Sequence, residues 1–139
     1  VLTLNFHKSD PISEQEISSL NIYLDNILQP LHQILNTHEV ANLIGASGTF
    51  DVLESLLSES DHNSLSSTFP ANKFMEVYQR LIKTTLNDRF EMEDIPDSRA
   101  EMIITALILI QYILRLTDAD NVIVSSYAMK EGMLQEMAK

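Results

Sequence analysis

No cysteine occurs anywhere in this chain. Neither a disulfide framework nor a thiolate metal site can be built from it, and a reducing cytoplasm is the simplest compartment. Basic residues are scarce: 9 lysines and arginines face 20 aspartates and glutamates, a formal net charge of -11. The imbalance is steepest in residues 1–70, where nine acidic side chains accompany a single basic one, Lys8. Such a field repels nucleic acid and anionic membrane surfaces, so neither is expected as a partner. A small polyanion meets the same repulsion unless local N–H groups, a cation or another part of a larger protein supplies positive potential. Long apolar runs are missing too. The most apolar stretch, MIITALILIQYIL (102–114), is shorter than the roughly 18 residues of a membrane span and reads as a helix buried inside a domain. The opening VLTLNFHKSD has no initiator Met, basic n-region or apolar h-region, so it does not read as a signal peptide.

What is present suits one compact domain: 139 residues, 45% of them hydrophobic, can enclose a core. Ser13 and Glu16 form a capping-box pattern after Pro11, and apolar residues from Ile17 to Leu35 recur at helical spacing, predicting a helix that bends at Pro30. EVANLIG (39–45) reads as a buried strand ending at glycine, and TFDVLESLLSE as the helix after it. SESDHNSLSST (58–68) is the best loop. Single helices are predicted over 71–90 and 99–116, the second apolar on nearly all sides and therefore buried. ADNVIVSSY supplies a second strand, followed by a helix in which Met129, Met133 and Met137 recur every four residues, most simply as core. Strand–turn–helix thus occurs twice, which predicts an α/β domain, helix-rich, with a small parallel sheet. Two strands are few, so either the N-terminal residues add another or the chain is part of a larger domain.

The three glycines invite a functional question, because Gly45 and Gly48 stand three apart in GASGT. A strand turning directly into a helix puts backbone N–H groups at the sheet edge where open α/β folds take ligands, with Ser47 and Thr49 offering hydroxyls. The plainer reading is a tight turn with Thr49 as helix cap. The motif is neither G-x-x-x-x-G-K-[ST] nor G-x-G-x-x-G. Glu91, Glu93, Asp94 and Asp97 could hold a hard cation or simply form a solvated acidic turn. His7, His32, His38 and His62 lack zinc-ligand spacing, and the serines lack a nucleophile motif. Gly132, inside the last helix, costs about 1 kcal/mol relative to Ala and suggests close packing or a ligand contact.

Taken together, KSDPISEQEI, LIGASGTFDVLESL and IPDSRAEMIITALILIQYILRLTDADNVIVSSYAMKEGML resemble, in order and separation, the C-terminal half of exopolyphosphatase/guanosine pentaphosphate phosphohydrolase (Ppx/GppA) proteins. The resemblance implies a partial actin-like, ribonuclease H-like domain of the sugar kinase and actin superfamily. Residues 1–139 would be a single domain, a C-terminal fragment lacking the N-terminal domain. Two such domains close over a cleft that hydrolyses the terminal phosphate of polyphosphate or guanosine pentaphosphate, with Mg²⁺ in the full-length parent and no cofactor in the fragment. Gly45, Ser47, Gly48, Thr49, Arg99, Lys130, Glu131 and Gly132 would then belong to the cleft wall. Both phosphate loops and the glutamate that positions water in the family lie upstream of any matched segment, so the fragment is expected to be inactive alone and to contain no catalytic residue.

One matched motif departs from the family, which usually carries Ser-Asp-Gly-Ala-Leu-Arg-Glu-Gly where this chain has Ser125, Ser126, Tyr127, Ala128, Met129, Lys130, Glu131 and Gly132. Lysine cannot make the bidentate phosphate contact of arginine. That departure supports an alternative, a non-catalytic regulatory or ligand-binding module derived from the family. A ligand-free helical interaction domain would instead bury residues 45–49. Expected partners are polyphosphate or guanosine pentaphosphate through the parent, the missing domain and a homodimer.

Overall fold

A computed structural model of the chain describes residues 1–57 and 65–138. In chain order it contains α1 (Leu2–Phe6), α2 (Glu14–Ile27), α3 (Gln29–Leu35), β1 (Asn42–Ala46), α4 (Thr49–Leu57), β2 (Ser66–Pro70), α5 (Ala71–Leu81), α6 (Leu86–Phe90), α7 (Asp97–Ala100), α8 (Ile103–Thr117), β3 (Asn121–Ser125) and α9 (Met129–Met137).

Local chemistry sets most of these boundaries. The predicted capping box opens α2: Glu16 N–H donates to Ser13 Oγ at 3.3 Å while Ser13 N–H donates to Glu16 Oε2 at 2.9 Å. Lys8 and Ser9 N–H also donate to Glu16, at 2.7 and 3.0 Å. The Ser9 hydroxyl and the Ser13 N–H, in that order, hold the Glu16 carboxyl well below the usual carboxylate range. The predicted bend at Pro30 becomes a break at Leu28, which ends α2 and starts α3. Pro30 falls in the first turn of α3, where its missing N–H would have no helical partner anyway.

Elsewhere predicted single helices divide. Residues 71–90 split because Thr85 starts α6: Asp88 N–H donates to Thr85 Oγ1 at 3.2 Å and Thr85 N–H to Asp88 Oδ2 at 2.8 Å. Residues 99–116 split at Glu101–Met102 into α7 and α8. The N-terminal residues form the short helix α1 rather than a strand.

The sheet has the order β1-β3-β2. β1 and β3 are parallel, as expected, with Leu43 opposite Val122 and Gly45 opposite Val124. β2 runs antiparallel to β3, with Thr68 opposite Ile123, so the small sheet is mixed. Ser66–Thr68 fell within the predicted loop, but pairing with β3 overrides weak local propensity. Residues 58–64 of that loop lie outside the described residues.

The core gathers around α8, as its all-round apolar sequence predicts. Ile103, Ile104, Leu107, Ile108 and Tyr112 are buried with Leu20 and Leu24 of α2, Leu53 of α4, Phe74 and Leu81 of α5 and Val122 of β3. Each large apolar side chain buried this way contributes roughly 1.5–3 kcal/mol. Arg89 is buried too, donating to the Ala100 carbonyl at 2.8 Å and the Thr84 carbonyl at 2.7 Å and facing Asp10 at 3.7 Å. It thereby fixes the path from α6 to α7. No helix among the described residues is long and apolar enough to cross a membrane.

Candidate functional site

Because β1 and β3 are parallel neighbours, the turns that follow them lie at the same end of the sheet. β1 runs through Gly45 to Ala46, one residue beyond the predicted glycine end. Ser47 and Gly48 then take φ of 68° and 35°, the left-handed region that non-glycine residues rarely adopt. Phe50 N–H donates to the Ser47 carbonyl at 2.9 Å and Val52 N–H to the Gly48 carbonyl at 3.2 Å. Gly48 therefore occupies the capping place, and Thr49 is the first helical residue rather than the cap.

The two glycines answer different steric demands. A Cβ on Gly45 would lie 2.1 Å from the Phe50 ring, which lies over the strand at that point. A Cβ on Gly48 would lie 2.5 Å from Arg99 Nη2. Gly45 seats an aromatic ring of the same turn, whereas Gly48 both permits the turn and admits a guanidinium from α7.

Two concavities flank the turn. One, of about 620 Å³, is bordered by Ala46, Ser47 and Asp51 on one side and by Ser126, Met129, Lys130 and Met133 on the other. The second, of about 370 Å³, is bordered by Ser47, Gly48, Asp51, Glu93, Asp94 and Arg99. Ser47 and Asp51 form the ridge between them. Of the sequence-predicted residues, Ser47 and Lys130 meet at the first concavity and Ser47, Gly48 and Arg99 at the second. Gly45 and Thr49 border neither.

Glu131 and Gly132 also stand apart from both. The Ala128 N–H donates to Glu131 Oε2 at 2.8 Å, capping α9 and lowering the Glu131 acid. Gly132 has open space where a Cβ would stand, so the expected close packing is not found there. The methionine row is exposed rather than core: Met129 is 82% exposed, Met133 60% and Met137 82%.

Asp51 is the site residue that sequence reasoning missed. Its signal was available, since it lies four residues after Ser47 in the first turn of α4, where a helix favours an acid. Glu93 and Asp94 border the second concavity, and the Ser55 hydroxyl donates to Asp94 Oδ1 at 2.8 Å, tying the acidic turn to α4.

Chemically, this is a polar wall with one guanidinium. Arg99 is half-buried; its Nη1 stands 3.5 Å from Met102 Sδ, a weak acceptor, and among the described residues it forms no ion pair. Lys130 Nζ lies 3.4 Å from Glu131 Oε1. The described histidines serve elsewhere: His32 Nε2 lies 2.7 Å from Tyr112 Oη, and His38 Nδ1 2.9 Å from Thr37 Oγ1. His7 lines a separate cavity beside Arg89, where burial first and that guanidinium second lower its pKa. His62 lies outside the described residues. Among the described residues no group of three or more histidines and carboxylates is placed to hold a metal ion.

Comparison with known proteins places this geometry in context. The family model of the Ppx/GppA phosphatase family matches residues 1–139. An exopolyphosphatase structure from Cytophaga hutchinsonii is 30% identical with a TM-score of 0.90, covering 98% of this chain and 46% of its own. The Aquifex aeolicus member of the Ppx/GppA family is 21% identical with a TM-score of 0.81, covering 99% of this chain and 45% of its own. The chain thus spans a little under half the length of these structures. No curated protein matches it.

Proposed function

From the premise that this chain belongs to the Ppx/GppA phosphatase family, we propose that it forms one wall of the cleft in which a longer protein takes polyphosphate or guanosine pentaphosphate. The observation that carries this reading is the convergence of three separate segments on one end of the sheet. Ser47 of the first turn stands between Arg99 of α7 and Lys130 of α9, across two adjoining concavities. Ligands of open α/β sheets bind at that end of parallel strands.

In the proposed division of labour, water attacks the terminal phosphorus, the bridging P–O bond breaks, and orthophosphate leaves. The groups that orient the water and cradle the phosphates come from the other half of the protein. This chain contributes Arg99, whose planar guanidinium suits a phosphate oxygen pair, and the Ser47 hydroxyl. Asp51, Glu93 and Asp94 oppose a bare polyanion at the same place. The positive potential needed comes from the other half or from Mg²⁺ carried on the substrate oxygens, in a cytoplasmic protein.

Phosphate release from polyphosphate and from guanosine pentaphosphate, measured for the chain alone and for the longer protein, tests the reading. Turnover by the longer protein only is expected, with Arg99→Ala raising KM by about 10-fold or more through the lost charge-assisted contact. Turnover by the chain alone, or an unchanged KM in the variant, would overturn it. The departures at Ser126, Tyr127 and Lys130 favour a second reading, in which the longer protein binds these phosphates without hydrolysing them. Turnover by the longer protein eliminates that one.

A further inference from the structure

Away from the turn after β1, a cavity of about 290 Å³ opens between the α1–α2 link, α6 and the α7–α8 corner, bordered by His7, Lys8, Asp10, Leu86, Arg89 and Glu101. It shares no bordering residue with either concavity beside Ser47. Its volume lies just under the roughly 300–1,000 Å³ of ordinary small-molecule sites. A small ligand suits it and a long chain does not.

Arg89 reaches this cavity with its donors only partly used. A guanidinium carries five N–H donors in a fixed fork. Nε donates to the Ala100 carbonyl, and Nη1 donates to the Thr84 carbonyl at 2.7 Å and more weakly to Thr84 Oγ1 at 3.4 Å. Nη2, with the remaining two donors, has no hydrogen-bond acceptor among the described residues and meets Asp10 Oδ1 only at 3.7 Å, beyond hydrogen-bonding distance. Asp10 is committed elsewhere, since both its oxygens accept the Leu86 N–H, at 2.8 and 2.9 Å, at the start of α6. Arg89 is only 1% exposed, so the cavity is where an outside group can meet those donors. A buried charged donor without an acceptor is costly, and an anion relieves it best.

The neighbouring charges are balanced around that donor. Arg89 and Lys8 stand against Asp10 and Glu101, which leaves His7 to tip the sum. Burial first, and Arg89 second, lower the His7 pKa, while Glu16, Asp10 and the Ser9 backbone act the other way. An anion against Arg89 would cancel the second effect and return the proton to His7.

We propose that this cavity binds a small tetrahedral oxyanion, of the class of orthophosphate and sulfate, on Arg89 Nη2 with His7 and Lys8 beside it. Three donor residues outnumber the two oxygens of a carboxylate, whereas a tetrahedral anion can use them all. The site stands apart from the cleft reading, because it uses neither Ser47, Arg99 nor Lys130.

The experiment follows the histidine C2–H resonances of the longer protein encoded by the same gene, with His7 assigned through His7→Gln. Sodium sulfate, whose charge is constant through the histidine range, is titrated against sodium chloride at equal ionic strength. Sulfate is expected to move the His7 resonance saturably and to raise its pKa. By reciprocity, sulfate then binds more tightly as pH falls. Orthophosphate should compete for the same place. Lys8→Ala should weaken sulfate about 2–5-fold and Glu101→Gln should tighten it by a similar factor, the worth of one exposed charge pair. Arg89→Lys, which keeps the charge and loses the fork, should weaken it further. Should that variant not fold, the Lys8 and Glu101 variants decide. Chloride acting as strongly as sulfate would overturn the proposal, as would a His7 response indifferent to both variants. Loss of the response in Arg99→Ala would also overturn it, by moving the anion to the cleft. A longer protein that binds sulfate at His7 without turning over either phosphate substrate leaves this inference standing and removes the catalytic one.

Discussion

Helices α8 and α9 share a sequence signal and have opposite fates. Both repeat apolar residues at helical spacing, yet α8 buries eight of its residues and α9 none. Leu107 has Leu20, Leu53 and Phe74 within the same cluster, whereas Met129, Met133 and Met137 face outward. Periodicity reveals which side of a helix is apolar. It says nothing about whether the residues that would cover that side belong to the same piece of chain.

The contrast would break first at its strongest point. Phe74 is wholly buried between α5 and α8, and Phe74→Ala should cost about 3–5 kcal/mol in urea unfolding, since the cavity cannot fully collapse. A loss below about 1 kcal/mol would mean that the helical side is no better packed than the exposed side. One step nearer the site, Gly45→Ala should cost about 1–3 kcal/mol by forcing the Phe50 ring off the strand. In a Phe50→Ala background the same change should be neutral or stabilising, because alanine loses less backbone freedom than glycine. An equal cost in both backgrounds would refute the seat proposed for the ring.

These two substitutions also mark how far the sequence could be read. The Ser13–Glu16 capping box, the buried character of α8 and the turn after β1 were legible, because each depends on neighbours within a few residues or on simple periodicity; the parallel pairing of β1 with β3, whose partners stand 79 positions apart, was legible only through the repeated strand–turn–helix order. The start of α6 at Thr85 was legible in principle through Asp88, but a continuing apolar pattern masked it. β2 was not legible, since its extended form depends on Ile123 and Val122, more than fifty positions away. At the site, glycine spacing drew attention to residues 45–49, but only the fold reveals that Phe50 and Arg99 occupy the missing Cβ positions. The same distance hid Asp94, whose partner Ser55 is 39 residues away.

A pH measurement sharpens the comparison on its buried side. Tyr112 donates to Asp25 Oδ1 at 2.7 Å beneath Arg115, whose guanidinium carbon lies 5.5 Å from the ring centre. Burial first, and the Asp25 bond second, push its pKa up to about 12 from an ordinary 10.0. The folded state therefore holds the phenolic proton more tightly than the unfolded chain does. That contribution is complete below pH 10 and is lost as pH rises toward 12. Urea midpoints measured across this window should fall steeply in the natural chain and less steeply in Tyr112→Phe. The residual slope comes in part from Tyr78, which burial also raises. Parallel curves for the two proteins would remove Tyr112 from the account.

The smallest expected effect is the most discriminating, because it concerns the row that looked like core. Met133→Ala in the chain alone should change stability by no more than about 0.5 kcal/mol, the usual range for a surface position. Leu107→Ala, with similar loss of apolar volume, should cost about 2–5 kcal/mol. If Met133→Ala is costly in the chain alone, α9 already packs against something there and the contrast with α8 fails.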